Sequence, residues 1–194
     1  MKRRAIFLDR DGTINVDVGY PASYSQIKIY SYSFSALKKI NDSGFLAVVI
    51  TNQSGIGRGY FTEADLDDIH EEMKAAFAAQ SARLDAIYYC PHYELSERPH
   101  YRKNCTCRKP EPGLALQAAV DFDIDLKNSY MIGDKVEDIL FGLNIGASPV
   151  LVLTGFGEES RAKLEAKGIR PAFIAPNLLA AVNWILDHTT NTGR

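Results

Sequence analysis

A chain of 194 residues, 46% hydrophobic and 24% charged, is long enough to bury one sizeable core and has an ordinary globular balance. Its formal charge of −2 supplies no broad positive field for nucleic acid or an anionic membrane surface, so an anionic ligand must be held by a few placed groups. The longest apolar run, Phe45 to Ile50, is far too short to span a bilayer, and Asp9 arrives before any signal-peptide core forms, so the cytoplasm is the expected compartment.

In chain order, short apolar runs predict strands at Ala5–Leu8, Phe45–Ile50, Ala86–Tyr89, Ser129–Ile132, Val150–Leu153 and Ala172–Ile174. Helical patterns lie between them. Ser33–Asp42 carries Phe34, Leu37 and Ile40 on one face and stops before Gly44. Thr62, with Asp65 three residues on, caps a helix whose apolar stripe is Leu66, Ile69 and Met73. Pro112 suits a first helical turn ahead of Leu114–Val120. Val136–Asn144, a surface helix at Glu158–Lys167, and Pro176–Asp187 complete the set. Strands that alternate with helices need crossover connections, which predicts an α/β, Rossmann-like three-layer sandwich around a mostly parallel sheet. Residues 91–112 have neither period, and a loop of that length needs its own means of ordering.

The polar clusters fall at one edge of that sheet. Asp9-Arg10-Asp11-Gly12-Thr13 follows the first strand, Thr51-Asn52-Gln53-Ser54-Gly55 the second, and Gly133-Asp134-Lys135 the fourth; Arg108-Lys109-Pro110 closes the long loop. Ligands of open parallel sheets bind beyond the carboxyl ends of the strands. Asp9, Asp11 and Asp134 together form a hard-oxygen set suited to magnesium, although one such aspartate alone would be read as a turn or cap residue. Gly12 permits a tight turn that the Thr13 hydroxyl supports. A carboxylate beside that ion can attack phosphorus, and a second can protonate the leaving oxygen. The Thr51 hydroxyl and the Lys109 ammonium can stabilise the phosphoryl oxygens.

These four motifs, in this order, resemble the haloacid dehalogenase-like (HAD) phosphohydrolase superfamily over about the first three-quarters of the chain. The resemblance implies one HAD-like domain over residues 1–194, with Asp9 as nucleophile and Asp11 as general acid/base. It implies Thr51 and Lys109 as phosphoryl stabilisers, and Asp134 as a magnesium ligand beside Asp9 and the Asp11 backbone carbonyl. Asp138 is either a water-bridged metal contact or a solvated helix residue, and is left out of the coordinating set. Lys135 either orients the neighbouring carboxylate or touches phosphate.

All three cysteines fall around the long loop. Cys90 and His92 stand as Cys-x-His, and after twelve residues Cys105 and Cys107 stand as Cys-x-Cys. Three thiolates and an imidazole complete a tetrahedral set for structural zinc, with no open position. The competing reading is that Cys90 ends a buried strand and the other two are adventitious. His70, His100 and His188 show no ligand partners. A zinc site here would fix Arg108 and Lys109 relative to Asp9.

Such a loop narrows the resemblance to a branch holding heptose-bisphosphate and histidinol-phosphate phosphatases. DRDGTINVDVGY, TNQSGIGRGYFT, YYCPH, CTCRKPEPG and MIGDKVED look like the heptose side. The resemblance implies that Asp17, Val18, Gly19 and Tyr20, with Thr51, Asn52, Gln53 and Ser54, line the substrate site, with Lys135 beside them. Arg108 would grip a second phosphate, with Arg58 a weaker candidate. Neither interval between motifs has room for a large cap domain. A monomer acting on a small sugar phosphate is expected, yielding heptose 1-phosphate for lipopolysaccharide core or a related glycoconjugate. The rivals are a histidinol-phosphate phosphatase and a non-catalytic phosphosugar-binding module.

Overall fold

Short apolar runs, largely buried in β1, β2, β4 and β5 and only partly buried in the edge strands β3 and β6, form six strands: β1 (Ala5–Leu8), β2 (Leu46–Asn52), β3 (Ala86–Cys90), β4 (Tyr130–Gly133), β5 (Ser148–Val152) and β6 (Phe173–Ala175). The computed structural model describes residues 2–191. The strands make one sheet in the order β3-β2-β1-β4-β5-β6, and every pairing is parallel.

Helices cover both faces, as parallel strands joined by crossovers require. They are α1 (Ser31–Asp42), α2 (Ser54–Arg58), α3 (Glu63–Ala78), α4 (Gly113–Phe122), α5 (Val136–Asn144), α6 (Gly157–Ala166) and α7 (Leu178–Asn191). Side chains alternate across β1: Ile6 and Leu8 join a core with α1, α3 and α7, whereas Ala5 and Phe7 join a core with α4 and α5. Leu164 of α6 packs on Leu151 and on Ile139 of α5. The result is an α/β fold with a helical layer on each face. Among the described residues no helix is long and apolar enough to cross a membrane.

Most predicted elements appear within two residues of their expected limits, and the deviations have causes. β2 runs on to Asn52 because β3 continues beside it, pairing Thr51 with Tyr89 and Asn52 with Cys90. Pro112 is the residue before α4 rather than its first-turn residue. Thr62 and Asp65 form the expected capping box. The short α2 was not foreseen, since Gly55 and Gly57 are weak helix formers. A Cβ on Gly57 would crowd the Pro91 carbonyl and Tyr93, so the glycine admits the long loop against α2. A loop with one helical turn (Tyr24–Gln26) and α1 fill the interval between β1 and β2, and α2 and α3 fill that between β2 and β3.

The strand order reverses between β1 and β4, the position at which doubly wound sheets open a crevice beyond their carboxyl ends. The Asp9 and Asp134 motifs leave the sheet on either side of that crevice.

Candidate active site

Asp9 leaves β1 with its amide bonded to the Ile132 carbonyl (2.9 Å), Asp134 leaves β4, and Asp138 sits in the first turn of α5. Their carboxylate oxygens lie within 4.8 Å of one another, and all three residues are buried. Asp138 is therefore not the solvated helix residue that one reading allowed. It is 1% exposed, and its Oδ2 accepts from the Lys135 amide at 3.0 Å, so capping the helix aims its side chain inward. Gly12, at φ +90°, makes the turn that brings the first motif against Asp134, where a Cβ would collide with the carboxylate. The Thr13 hydroxyl reaches Asp134 Oδ1 at 3.5 Å.

Clustered, desolvated carboxylates resist ionisation. Burial, then the Asp9 charge, push Asp134 up to about 8. Burial pushes Asp138 up to about 6 despite the ammonium beside it. An oxygen-only set of this charge fits a hard divalent cation, which would offset the repulsion.

Lys109 supplies the charge at the floor. It is 3% exposed, with Nζ 2.8 Å from Asp9 Oδ1, 2.6 Å from Asp138 Oδ1, and donating to the Ile50 carbonyl at 2.7 Å. Burial opposes its ammonium, but Asp138 and Asp9 outweigh burial and hold its pKa above the usual lysine value. Asn52 fixes the Lys109 backbone from both sides, accepting from its amide at 3.0 Å and donating to its carbonyl at 3.2 Å. Lys135 Nζ lies 3.0 Å from Asp17 Oδ2, 3.3 Å from the Asp11 carbonyl and 3.8 Å from Asp9 Oδ2.

The Asp11 carboxylate does not join the other three. Arg10, Asn15 and Gln53 donate to it, and Gln53 also donates to Thr51 Oγ1 at 2.8 Å. Burial works to raise its pKa, but the Arg10 charge and these hydrogen bonds hold it below the usual carboxylate range. Of the expected magnesium set, Asp9 and Asp134 converge by their side chains, whereas Asp11 turns its backbone oxygen toward Lys135.

An open cleft of about 1050 Å³ covers this floor. Asp17, Gly19, Tyr20, Thr51, Asn52, Gln53, Ser54, Arg108 and Lys135 line it, as do Tyr93 and Phe156. Val18 is exposed and is not among the lining residues. Neither is Arg58, whose guanidinium carbon sits 3.7 Å from the Tyr93 ring centre and 5.8 Å from that of Tyr20. It clamps two loops together.

Cys90, His92, Cys105 and Cys107 also converge, their donor atoms all within 4.8 Å of one another. Cys107 Sγ is 3.0 Å from Cys90 Sγ and 3.1 Å from His92 Nδ1, and Cys90 Sγ is 3.5 Å from Cys105 Sγ. A tetrahedral zinc with Zn–S near 2.3 Å has sulfur–sulfur edges of roughly 3.8 Å, close to this spacing. Arg108 donates to the His92 carbonyl at 3.3 Å, tying the cluster to the cleft.

Sequence reasoning missed four contributing residues. The loop before α6 reaches the site: Thr154 donates to the Gly12 carbonyl at 2.6 Å, and the Phe156 amide donates to Asp134 Oδ2 at 2.8 Å. Arg10 and His70 form a buried pair behind Asp11, 3.2 Å apart. No motif spacing marks these residues. The one signal was an arginine between two aspartates, immediately after a strand.

The HAD-hydrolase-like family model matches residues 106–181. The D-glycero-beta-D-manno-heptose-1,7-bisphosphate 7-phosphatase of Pasteurella multocida (strain Pm70) is 46% identical over 154 residues, 79% of this chain and 83% of its own. That of Escherichia coli (strain K12) is 46% identical over 185 residues, 94% of this chain and 88% of its own. Among solved structures, the D,D-heptose 1,7-bisphosphate phosphatase of B. bronchiseptica, complexed with magnesium and phosphate, superposes with a TM-score of 0.84 at 32% identity, covering 95% of this chain and 99% of that one.

Proposed function

Because the chain belongs to the heptose-1,7-bisphosphate 7-phosphatase family of HAD-like phosphatases, we propose that it hydrolyses the 7-phosphate of D-glycero-D-manno-heptose 1,7-bisphosphate, releasing heptose 1-phosphate and phosphate. The observation that carries this reading is the convergence of Asp9, Asp134, Asp138 and Lys109 at the β1/β4 crevice. The names of the relatives favour the β anomer. The product suits nucleotide-heptose and lipopolysaccharide core synthesis.

Asp9 attacks the 7-phosphoryl group, the bond from phosphorus to the sugar oxygen breaks, and Asp11, which must first take up a proton against the pull of Arg10, delivers it to that oxygen. The resulting aspartyl-phosphate is hydrolysed when Asp11 takes a proton from the attacking water, returning Asp9 and freeing phosphate. Lys109 and the Thr51 hydroxyl hold the phosphoryl oxygens throughout. Asp9, Asp134 and the Asp11 carbonyl are the groups that would hold magnesium, with Asp138 behind them; bound there, the ion neutralises charge on Asp9 and the phosphoryl group. Asp17, Gly19, Tyr20, Asn52, Gln53 and Ser54 line the sugar's path, Lys135 steadies Asp17, and Arg108 meets the distal phosphate. Cys90, His92, Cys105 and Cys107 are the residues that would hold a structural zinc, which would fix the backbone leading into Arg108 and Lys109.

Phosphate release should be followed on the heptose bisphosphate (both anomers) and on histidinol phosphate, with and without magnesium. The expected result is magnesium-dependent turnover with kcat/KM at least about 100-fold higher for the bisphosphate. Asp9→Asn should lower kcat by roughly 1,000-fold or more with the fold intact. A preference for histidinol phosphate would overturn the substrate, and an active Asp9→Asn variant would overturn the chemistry.

A further inference from the structure

Behind Asp11 lies a polar assembly that the phosphoryl chemistry does not itself use. Arg10 is completely buried, and its Nε donates to Asp11 Oδ1 and Oδ2 at 3.1 and 3.2 Å, with Nη2 donating to Oδ2 at 2.8 Å. This bidentate grip fixes the carboxylate plane. The outer nitrogen, Nη1, faces His70 Nε2 at 3.2 Å. A guanidinium has no acceptor, so Nη1 donates, Nε2 accepts, and the imidazole proton sits on Nδ1.

His70 is suited to that role. It is 5% exposed, in the middle of α3, with the Tyr89 ring centre 5.9 Å from its own. Burial, followed by the Arg10 charge, pushes its pKa down to about 3, so the ring is neutral and free to accept. Asn15 and Gln53 hold the carboxylate from two further directions, each at 2.9 Å. Asp11 nevertheless remains part of the cleft lining, with Asp9.

We propose that Arg10 and His70 are positioning residues that hold the Asp11 carboxylate in the orientation from which it exchanges a proton with the leaving oxygen of the sugar. The inference rests on the reading of Asp11 as general acid/base. His70 anchors Arg10 to α3, and Arg10 fixes Asp11. Proton transfer loses rate steeply when its donor is misoriented.

The test exploits leaving groups. A sugar alkoxide departs only with a proton, whereas the phenolate of p-nitrophenyl phosphate departs without one. His70→Phe removes the acceptor while filling its space. It should lower the single-turnover rate at which the heptose bisphosphate phosphorylates Asp9 about 10-fold or more, with the burst rate of p-nitrophenolate release held within about 2-fold. The later hydrolysis of the aspartyl-phosphate, where Asp11 acts as base, is common to both substrates and is not the readout. His70→Gln, whose amide oxygen accepts in place of Nε2, should restore the sugar rate to within roughly 3-fold. His70→Leu serves the same purpose if the phenylalanine variant does not fold. Equal losses in the phosphorylation rates of both substrates, or no loss on either, would overturn the proposal. Asp11→Asn separates the two levels of the argument. If it spares the burst of p-nitrophenolate while slowing phosphorylation by the sugar, and His70→Phe shows no such selectivity, the positioning role fails while the acid/base reading stands. If Asp11→Asn itself shows no selectivity, the acid/base reading fails first.

Discussion

The Asp9–Asp134–Asp138 cluster and the Cys90–His92–Cys105–Cys107 cluster are assembled by different means. The acidic cluster stands on secondary structure: two members leave adjacent parallel strands, the third sits in the first turn of α5, and the buried Lys109 already offsets part of their charge. Backbone hydrogen bonds put those groups in place, so the fold tolerates them before any cation arrives. In the other cluster, Cys90 alone ends a strand, and the remaining three stand on a stretch of chain without helix or strand. Order there depends on side-chain contacts, such as Ser96 to the Gly57 carbonyl and Tyr101 to Glu63, and on whatever the four donors bind. One site is given its geometry by the fold, whereas the zinc proposed for the other would give geometry to the fold.

Withdrawing each metal breaks the comparison most directly. Removal of magnesium should abolish turnover, by about 1,000-fold or more, yet move the unfolding temperature only a few degrees. Removal of the zinc proposed for the cysteine cluster, or Cys107→Ser, should instead cost several kcal/mol of stability, with activity falling because Arg108 and Lys109 lose their support. Metal analysis, phosphate release and thermal unfolding on the same samples read both effects. Comparable stability losses in the two cases would erase the distinction.

A smaller effect is expected inside the acidic cluster. Asp138→Asn keeps the helix cap but removes the carboxylate 2.6 Å from Lys109, leaving the ammonium with Asp9 as its one anionic partner within bonding distance. kcat/KM should fall about 10- to 100-fold, and half-activation should need more magnesium. Titrating activity against magnesium in the variant checks both. An unaltered titration would confine Asp138 to capping.

The contrast also explains what the amino-acid sequence disclosed. Asp9, Asp11 and Asp134 were legible because each follows a hydrophobic run, and strand ends of a parallel sheet share one edge. The cysteine set was legible as donor chemistry. Asp138 was not assigned, since an acidic residue in a first helical turn is usually solvated, and only the close approach of α5 to Gly133 buries it. Arg10 and His70, 60 positions apart, required the docking of α3 against the sheet to meet. The reach of Thr154 and Phe156 depends on a loop conformation that leaves no periodic trace.

The mildest perturbation tests how far the cysteine-bearing loop is held by protein alone. Glu63 opens α3, where a negative charge suits the helix N-terminus, and it accepts from Tyr101 at 2.7 Å and Tyr89 at 2.9 Å. The Tyr101 bond, then the Tyr89 bond, lower its pKa from 4.5. A carboxyl with a depressed folded pKa contributes stability above its unfolded value, and that contribution disappears as pH falls through the folded one. Glu63→Gln should therefore cost about 1 kcal/mol at neutral pH, and the gap between variant and parent should narrow below pH 4.5. Because Tyr101 lies on the same loop as Cys105, the proposed zinc should also leave the variant a few-fold faster at pH 7 in the presence of a chelator. If release is unchanged while Cys107→Ser disorders the loop, the four donors order that segment without help from α3.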